Sequence, residues 1–156
     1  MAPSPKLTQQ ADFRALCLET LREVRRLGGD LQAELFEAFD ERGGDPSLIE
    51  LDHWVLRRFS DGAEIDRPDW LRRAAPRLPV GDKLPHLNVQ DPTGHVLCLG
   101  QIAGVWRFML LTGSPSGAQL ARVSRICVVF RHLLTTIDRF ERDALTGLLN
   151  RQSFDY

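Results

Sequence analysis

Lysine is almost missing from this chain: of its 20 basic residues, Lys6 and Lys83 are the two lysines and the rest are arginine. No one kind of surface favours arginine so strongly, and codon usage rich in G and C accounts for it. Charge of one sign is also lacking. Twenty basic residues against 21 acidic ones leave a net charge of -1, without the basic excess that would neutralise nucleic-acid phosphates. No apolar run approaches the 18 residues of a membrane span, and the opening MAPSPKLTQQADF lacks the apolar segment of a signal peptide, so a cytoplasmic protein is expected with neither nucleic acid nor membrane as partner. Cysteine occurs three times, as Cys17, Cys98 and Cys127, an odd number without a CxxC pair, which excludes a disulfide framework and a zinc signature. The four histidines, His53, His86, His95 and His132, fall at no metal-ligating spacing and read as surface or structural residues. Asp52-His53 and the Glu64/Asp66 pair read as solvated edges, and no catalytic triad order or Gly-rich phosphate loop is present.

What remains is an ordinary globular composition, 43% hydrophobic and 26% charged, over 156 residues, the size of one core. Helical spacing of Phe13, Leu16, Leu21, Val24 and Leu27 predicts a helix over 7–27, ended by Gly28-Gly29. Leu31, Leu35, Phe36 and Phe39 predict a second helix over 31–39, capped by Asp30. Gly43-Gly44-Asp45-Pro46 reads as a loop and 48–59 as a strand. A short helix is expected over 67–75, with Asp66 as its cap and Pro68 in its first turn.

The strongest β signal lies further on. Strands over 86–90 and 95–102 flank the turn Asp91-Pro92-Thr93-Gly94, and a third follows over 105–112. A two-residue turn at Ala103-Gly104 sets Ile102 opposite Val105, Gly100 opposite Arg107, Cys98 opposite Met109 and Val96 opposite Leu111. Gln101 then meets Trp106, Leu99 meets Phe108, and Leu97 meets Leu110. Both faces of this hairpin are apolar, so both need cover. Arg107 stands within the run Val-Trp-Arg-Phe-Met-Leu-Leu and needs a partner. Two readings stay open. Gly100 leaves space for a small anionic or nucleotide ligand walled by Trp106 or Met109, or Arg107 pairs with a carboxylate of the chain or reaches out of an edge strand.

A long helix is expected over 118–142. Val123, Ile126, Phe130, Leu133, Ile137 and Phe140 are spaced 3, 4, 3, 4, 3, the rule of a coiled-coil seam. Cys127, Val128, Val129 and Leu134 widen the early part of this stripe. It reads either as a plain amphipathic core helix or as core in its first half and dimer stalk in its second, with Ile126, Phe130, Leu133, Ile137 and Phe140 as the seam of a parallel homodimer.

Directly after it comes DALTGLLNRQSF, in which Asp143, Leu145, Thr146, Gly147, Leu148, Asn150, Arg151 and Phe154 match the pattern D-x-L-T-G-L-x-N-R-x-x-F. The segment resembles the opening of the GGDEF domain of bacterial diguanylate cyclases, over residues 143–156 alone. Read from its own residues it is a joint, with Asp143 and Thr146 able to cap a new helix start and Gly147 tolerant of unusual dihedrals. The GGDEF letters that hold GTP and metal in that family are absent, so the chain itself is expected to be no enzyme, with no catalytic or metal residues and no cofactor of its own. Residues 1–117 then stand where a sensor stands, 118–142 form the exit helix, and 143–156 begin a catalytic domain. The element order resembles a GAF domain, an α+β fold whose antiparallel sheet carries the first and last helices on one face, with the PAS fold as the alternative. The resemblance implies a regulatory and dimerisation module for an enzyme that condenses two GTP into cyclic di-GMP with Mg²⁺. A scaffold that dimerises without sensing, or the sensor of a degenerate nucleotide-binding GGDEF protein, are the other readings.

Overall fold

The computed structural model describes the backbone of residues 5–40, 53–90 and 93–154, and the side chains of 12–40, 53–90 and 93–140. Among the described residues three helices, α1 (Pro5–Arg25), α2 (Asp69–Ala74) and α3 (Gly117–Phe154), accompany six strands. The strands are β1 (Gln32–Asp40), β2 (Trp54–Arg58), β3 (Glu64–Ile65), β4 (His86–Val89), β5 (Gly94–Ile102) and β6 (Val105–Thr112). They form one antiparallel sheet in the order β3-β2-β1-β6-β5-β4. The protein is therefore α+β, with helices on both faces of its sheet.

Each face has its own core. On one, Cys17, Leu21 and Val24 of α1 and Val123, Cys127, Phe130 and Leu134 of α3 close over Leu35, Leu97, Leu99, Met109 and Leu111. On the other, α2 buries Trp70, Leu71 and Ala74 against Phe36, Trp54, Trp106 and Phe108. Trp70 meets Phe36 and Phe108 edge-on, at centroid distances of 6.0 and 5.6 Å.

The helix expected over 31–39 is a strand. Leu31, Leu35 and Phe39 are four residues apart, and a strand satisfies that spacing as well as a helix does, because four is an even number. β1 lies between β2 and β6, so its alternate residues enter different cores: Leu31, Ala33 and Leu35 one, Phe36 and Ala38 the other. The strand expected over 48–59 is β2, shorter, and its first part lies outside the described residues, as do Gly43 to Pro46 and Asp91-Pro92. Asp66 does not cap α2: Pro68 occupies the N-cap, without a side-chain hydrogen bond.

The β5–β6 hairpin turns through Ala103 and Gly104, both at positive φ (56° and 81°), the backbone of a tight two-residue turn. Ile102, Gln101 and Gly100 oppose Val105, Trp106 and Arg107 as expected. Beyond Gly100 the register slips by one residue at a β-bulge between Cys98 and Gly100, so Cys98 opposes Phe108, Leu97 opposes Met109 and Val96 opposes Leu110. The extra residue is Leu99. It puts Leu97, Leu99 and Ile102 in one core although their spacing alone would divide them. Gly100 takes the bulge at φ 81°, and the Leu99 carbonyl accepts a hydrogen bond from Nε of Arg131 on α3 (3.1 Å).

Helices α1 and α3 lie antiparallel. Gln119, at the start of α3, donates from Nε2 to the carbonyl of Leu27, just past the end of α1 (3.1 Å). Ser116 and Gln119 cap α3 reciprocally, Ser116 N–H on Gln119 Oε1 (2.9 Å) and Gln119 N–H on Ser116 Oγ (3.1 Å). The backbone then stays helical through Asp143 and Gly147 to Phe154. The new helix start expected at Asp143 is therefore not seen, since the segment continues the turn of the helix before it.

The bulge generates a prediction. Gly100 and Gly104 both have φ 81°, so a methyl group strains either backbone; on Gly100 it would also stand 2.9 Å from Pro79 Cδ, whereas on Gly104 it would meet nothing within 4 Å. Gly104→Ala should cost roughly 1–2 kcal/mol and Gly100→Ala clearly more, as read from urea unfolding midpoints.

Candidate functional site

Two places in the molecule carry the residues singled out by the sequence. The first is the centre of the sheet. Arg107 on β6 points toward the helices and is 6% exposed. Its Nη1 donates to Glu37 Oε1 on β1 at 2.9 Å, its Nε donates to the Ile102 carbonyl at 3.3 Å, and its Cζ lies 4.6 Å from the ring centroid of Phe13 on α1. Glu37 faces Arg107 directly in the β1–β6 register. The guanidinium thus has a carboxylate, a carbonyl and an aromatic face, the set of partners that makes a buried cation tolerable.

Of the ligand-space residues read from the sequence, Gly100 does oppose Arg107, but Pro79 closes over it. Trp106 points to the other face and packs on Trp54 at 6.0 Å. Met109 shares the face of Arg107 and is met at its Sδ by Cys127 Sγ at 3.4 Å. The four do not line one space. A cavity of about 10 Å³ beside Arg107, Cys17 and Phe130 has room on the order of one water. Glu37 and Phe13 are the partners that sequence reasoning missed. A carboxylate within the apolar run Leu35-Phe36-Glu37-Ala38 was the available signal, hidden while that run was read as a helix.

The second place is the outer side of α1 and α3. The seam read from the 3-4 spacing divides between two faces. Phe130 is core, at 2% exposure, and the buried stripe is Val123, Cys127, Phe130 and Leu134. Leu133 and Phe140 are exposed by 45% and 70%, Ile126 and Ile137 are half-buried, and Val129, outside the expected seam, is exposed by 53%. The sheet needs one stripe of α3 and leaves the next one out. Between α1 and α3 a groove of about 480 Å³ has Leu16, Ile126, Val129 and Leu133 in its floor and walls, Glu19 and Glu23 along the α1 rim, and Arg122 and Arg125 along the α3 rim. The side chains of Asp143, Leu145, Thr146, Leu148, Asn150, Arg151 and Phe154 lie outside the described residues, although their backbone is helical.

The titratable groups elsewhere are local. Burial pushes the thiols of Cys17 and Cys127 up to about 12 and that of Cys98 to about 11, which keeps them protonated. His132 reaches Asp82 at 3.2 Å. His86 Nε2 and His95 Nδ1 are 2.7 Å apart across β4 and β5. Among the described residues no group of three or more His, Cys, Asp or Glu side chains comes together as a metal site. No helix of the described residues is long and apolar enough to cross a membrane.

Comparisons with family models, with curated proteins and with solved structures find no match to this chain.

Two outcomes are expected from this geometry. Glu37→Ala strands a buried guanidinium and should cost roughly 3 kcal/mol in urea unfolding, while Glu37→Leu with Arg107→Met, which removes both charges, should cost clearly less. Desolvation, then the neighbouring His86, lowers the pKa of His95 from 6.5. The unfolded chain therefore binds a proton at His95 before the folded one does, and stability falls as pH drops below the unfolded value. The thermal midpoint should decline more between about pH 7 and about pH 5.5 in the parent protein than in His95→Gln.

Proposed function

We propose that this chain is the GAF-like, cytoplasmic regulatory and dimerisation module of a diguanylate cyclase, joined through α3 to a GGDEF domain that begins near Asp143. The observation that carries the reading is continuity. The segment resembling the GGDEF opening lies on the same helix whose first half is anchored in the sheet core by Val123, Cys127, Phe130 and Leu134. A rotation or shift of that anchored half is carried along a rigid rod to whatever follows Phe154. The placement of α1 and α3 together on one face of the sheet supports the GAF-like reading over the PAS-like one.

In this reading the exposed stripe of α3 takes part in the contact with a second chain, and two parallel exit helices set the separation of two catalytic domains. Each catalytic domain would bring one GTP to the condensation into cyclic di-GMP. In this reading Mg²⁺ belongs with the catalytic domain.

A specific observation favours a second reading, in which the module dimerises without sensing a ligand at Arg107. The guanidinium there is already paired, and the adjoining cavity is about 10 Å³. The helical relay is the same in both readings.

The test is helical phase. In a protein where residues 1–156 lead into a complete GGDEF domain, seven residues inserted after Phe140 turn the exit by about 700°, close to two whole turns, and two residues turn it by about 200°. Cyclic di-GMP formation from GTP, followed by chromatography, should survive the seven-residue insertion and fall at least tenfold with the two-residue one. Equal activity in both would end the relay reading, and residues 1–156 alone should form no product.

A further inference from the structure

The groove between α1 and α3 combines an apolar floor with rims of opposite charge, acidic on α1 and basic on α3. Arg122 and Arg125 have no carboxylate at salt-bridge distance among the described residues. Glu19 and Glu23 have only exposed neighbours on their own helix, Arg22 at 3.5 Å and Arg26. Such pairs hold little against a better-placed partner. The groove therefore offers a second helix pair an apolar seat, an acidic strip and a basic strip.

We infer that the occupant is the same groove of a second copy, with α1 supplying half of the interface, so that the dimer is a four-helix bundle and not a two-helix stalk. The inference rests on the dimer reading above and adds its geometry. The charges identify the symmetry. Leu27 meets Gln119, so Glu23 and Arg122 lie near that end of the groove, and Glu19 and Arg125 about one turn further toward Leu16 and Leu133. A two-fold axis parallel to the helices places each α1 between its own α3 and that of the other copy and keeps every level unchanged. Glu23 then faces Arg122 of the second copy and Glu19 faces its Arg125. Leu16, Val129 and Leu133 close the apolar centre, and both α3 helices leave at the same end. A two-fold axis perpendicular to the helices would instead set the charged end of one copy against the apolar end of the other, leaving both sets of charges unpaired.

This arrangement makes an unusual prediction. Glu19→Arg with Glu23→Arg gives a chain basic on both rims, and Arg122→Glu with Arg125→Glu gives one acidic on both. Each should repel itself and attract the other. By sedimentation of the full chain at micromolar concentration, the parent should be a dimer. Each double variant alone should be a monomer or dissociate at least tenfold more readily, with an unchanged circular dichroism spectrum, and their equimolar mixture should be a dimer again. If either double variant loses its spectrum, the single swaps Glu23→Arg and Arg122→Glu carry the same test. A monomeric parent, variants that dimerise alone, or a mixture that stays monomeric would overturn the inference. No cyclase enters this measurement, so its failure is distinct from failure of the relay, which the insertions after Phe140 judge separately.

Discussion

A sheet whose inner strands are apolar on both faces cannot leave either face in water, and most of this architecture follows from that constraint. β1, β5 and β6 send leucine, methionine and alanine to one side and tryptophan, phenylalanine and cysteine to the other. One side takes the long helices α1 and α3. The other is served by α2, which is six residues long and relies on Trp70 and Leu71 to cover a wide aromatic area. At roughly 1.5–3 kcal/mol for each large side chain fully buried, these two layers outweigh any single polar contact in the molecule. Among the described residues Arg107 is the buried charge inside them, tolerated because Glu37 lies across the strand pair and Phe13 lies above it.

The parts of the fold legible in the sequence are those with local punctuation. Gly28-Gly29 closes α1, the prolines around residues 76–79 follow α2, and the turn at Ala103-Gly104 sets the upper half of the hairpin correctly. Three things were hidden, each for a physical reason. A central strand buried on both faces has no polar alternation, so β1 imitates a helix when its apolar residues fall four apart. A β-bulge leaves no compositional mark beyond a glycine, and Gly100 could equally mean space for a ligand. An amphipathic helix with two adjacent apolar stripes looks like one coiled-coil seam when read by its heptad, which is why Phe130, a core residue, stood beside Leu133, an exposed one. Glu37 went unnoticed as the partner of Arg107 as a direct result of the first of these.

The candidate interface was half legible. The α3 stripe is visible as periodicity, whereas the contribution of α1 depends on a tertiary fact, the antiparallel pairing that brings Leu16 and Glu19 level with residues of α3. Charge at Glu19, Glu23, Arg122 and Arg125 reads in the sequence as two ordinary solvated helix faces. Only their placement on opposite banks of one groove gives them a shared meaning.

The bond from Arg131 to the Leu99 carbonyl couples the hairpin to the azimuth of α3. A bulged strand exposes a carbonyl that a regular ladder would use, and here a side chain of the exit helix takes it. Each helical residue advances by about 100° and about 1.5 Å, so the bearing of Phe140, nine residues and roughly 13 Å beyond Arg131, is keyed to one carbonyl in β5. The extra residue in β5 thus acts as an indexing tooth. Straightening the bulge would remove that tie and leave the core stripe of Val123, Cys127, Phe130 and Leu134 alone to hold the helix's bearing, and the hairpin tip at Ala103-Gly104 lies a few residues away on the same strand.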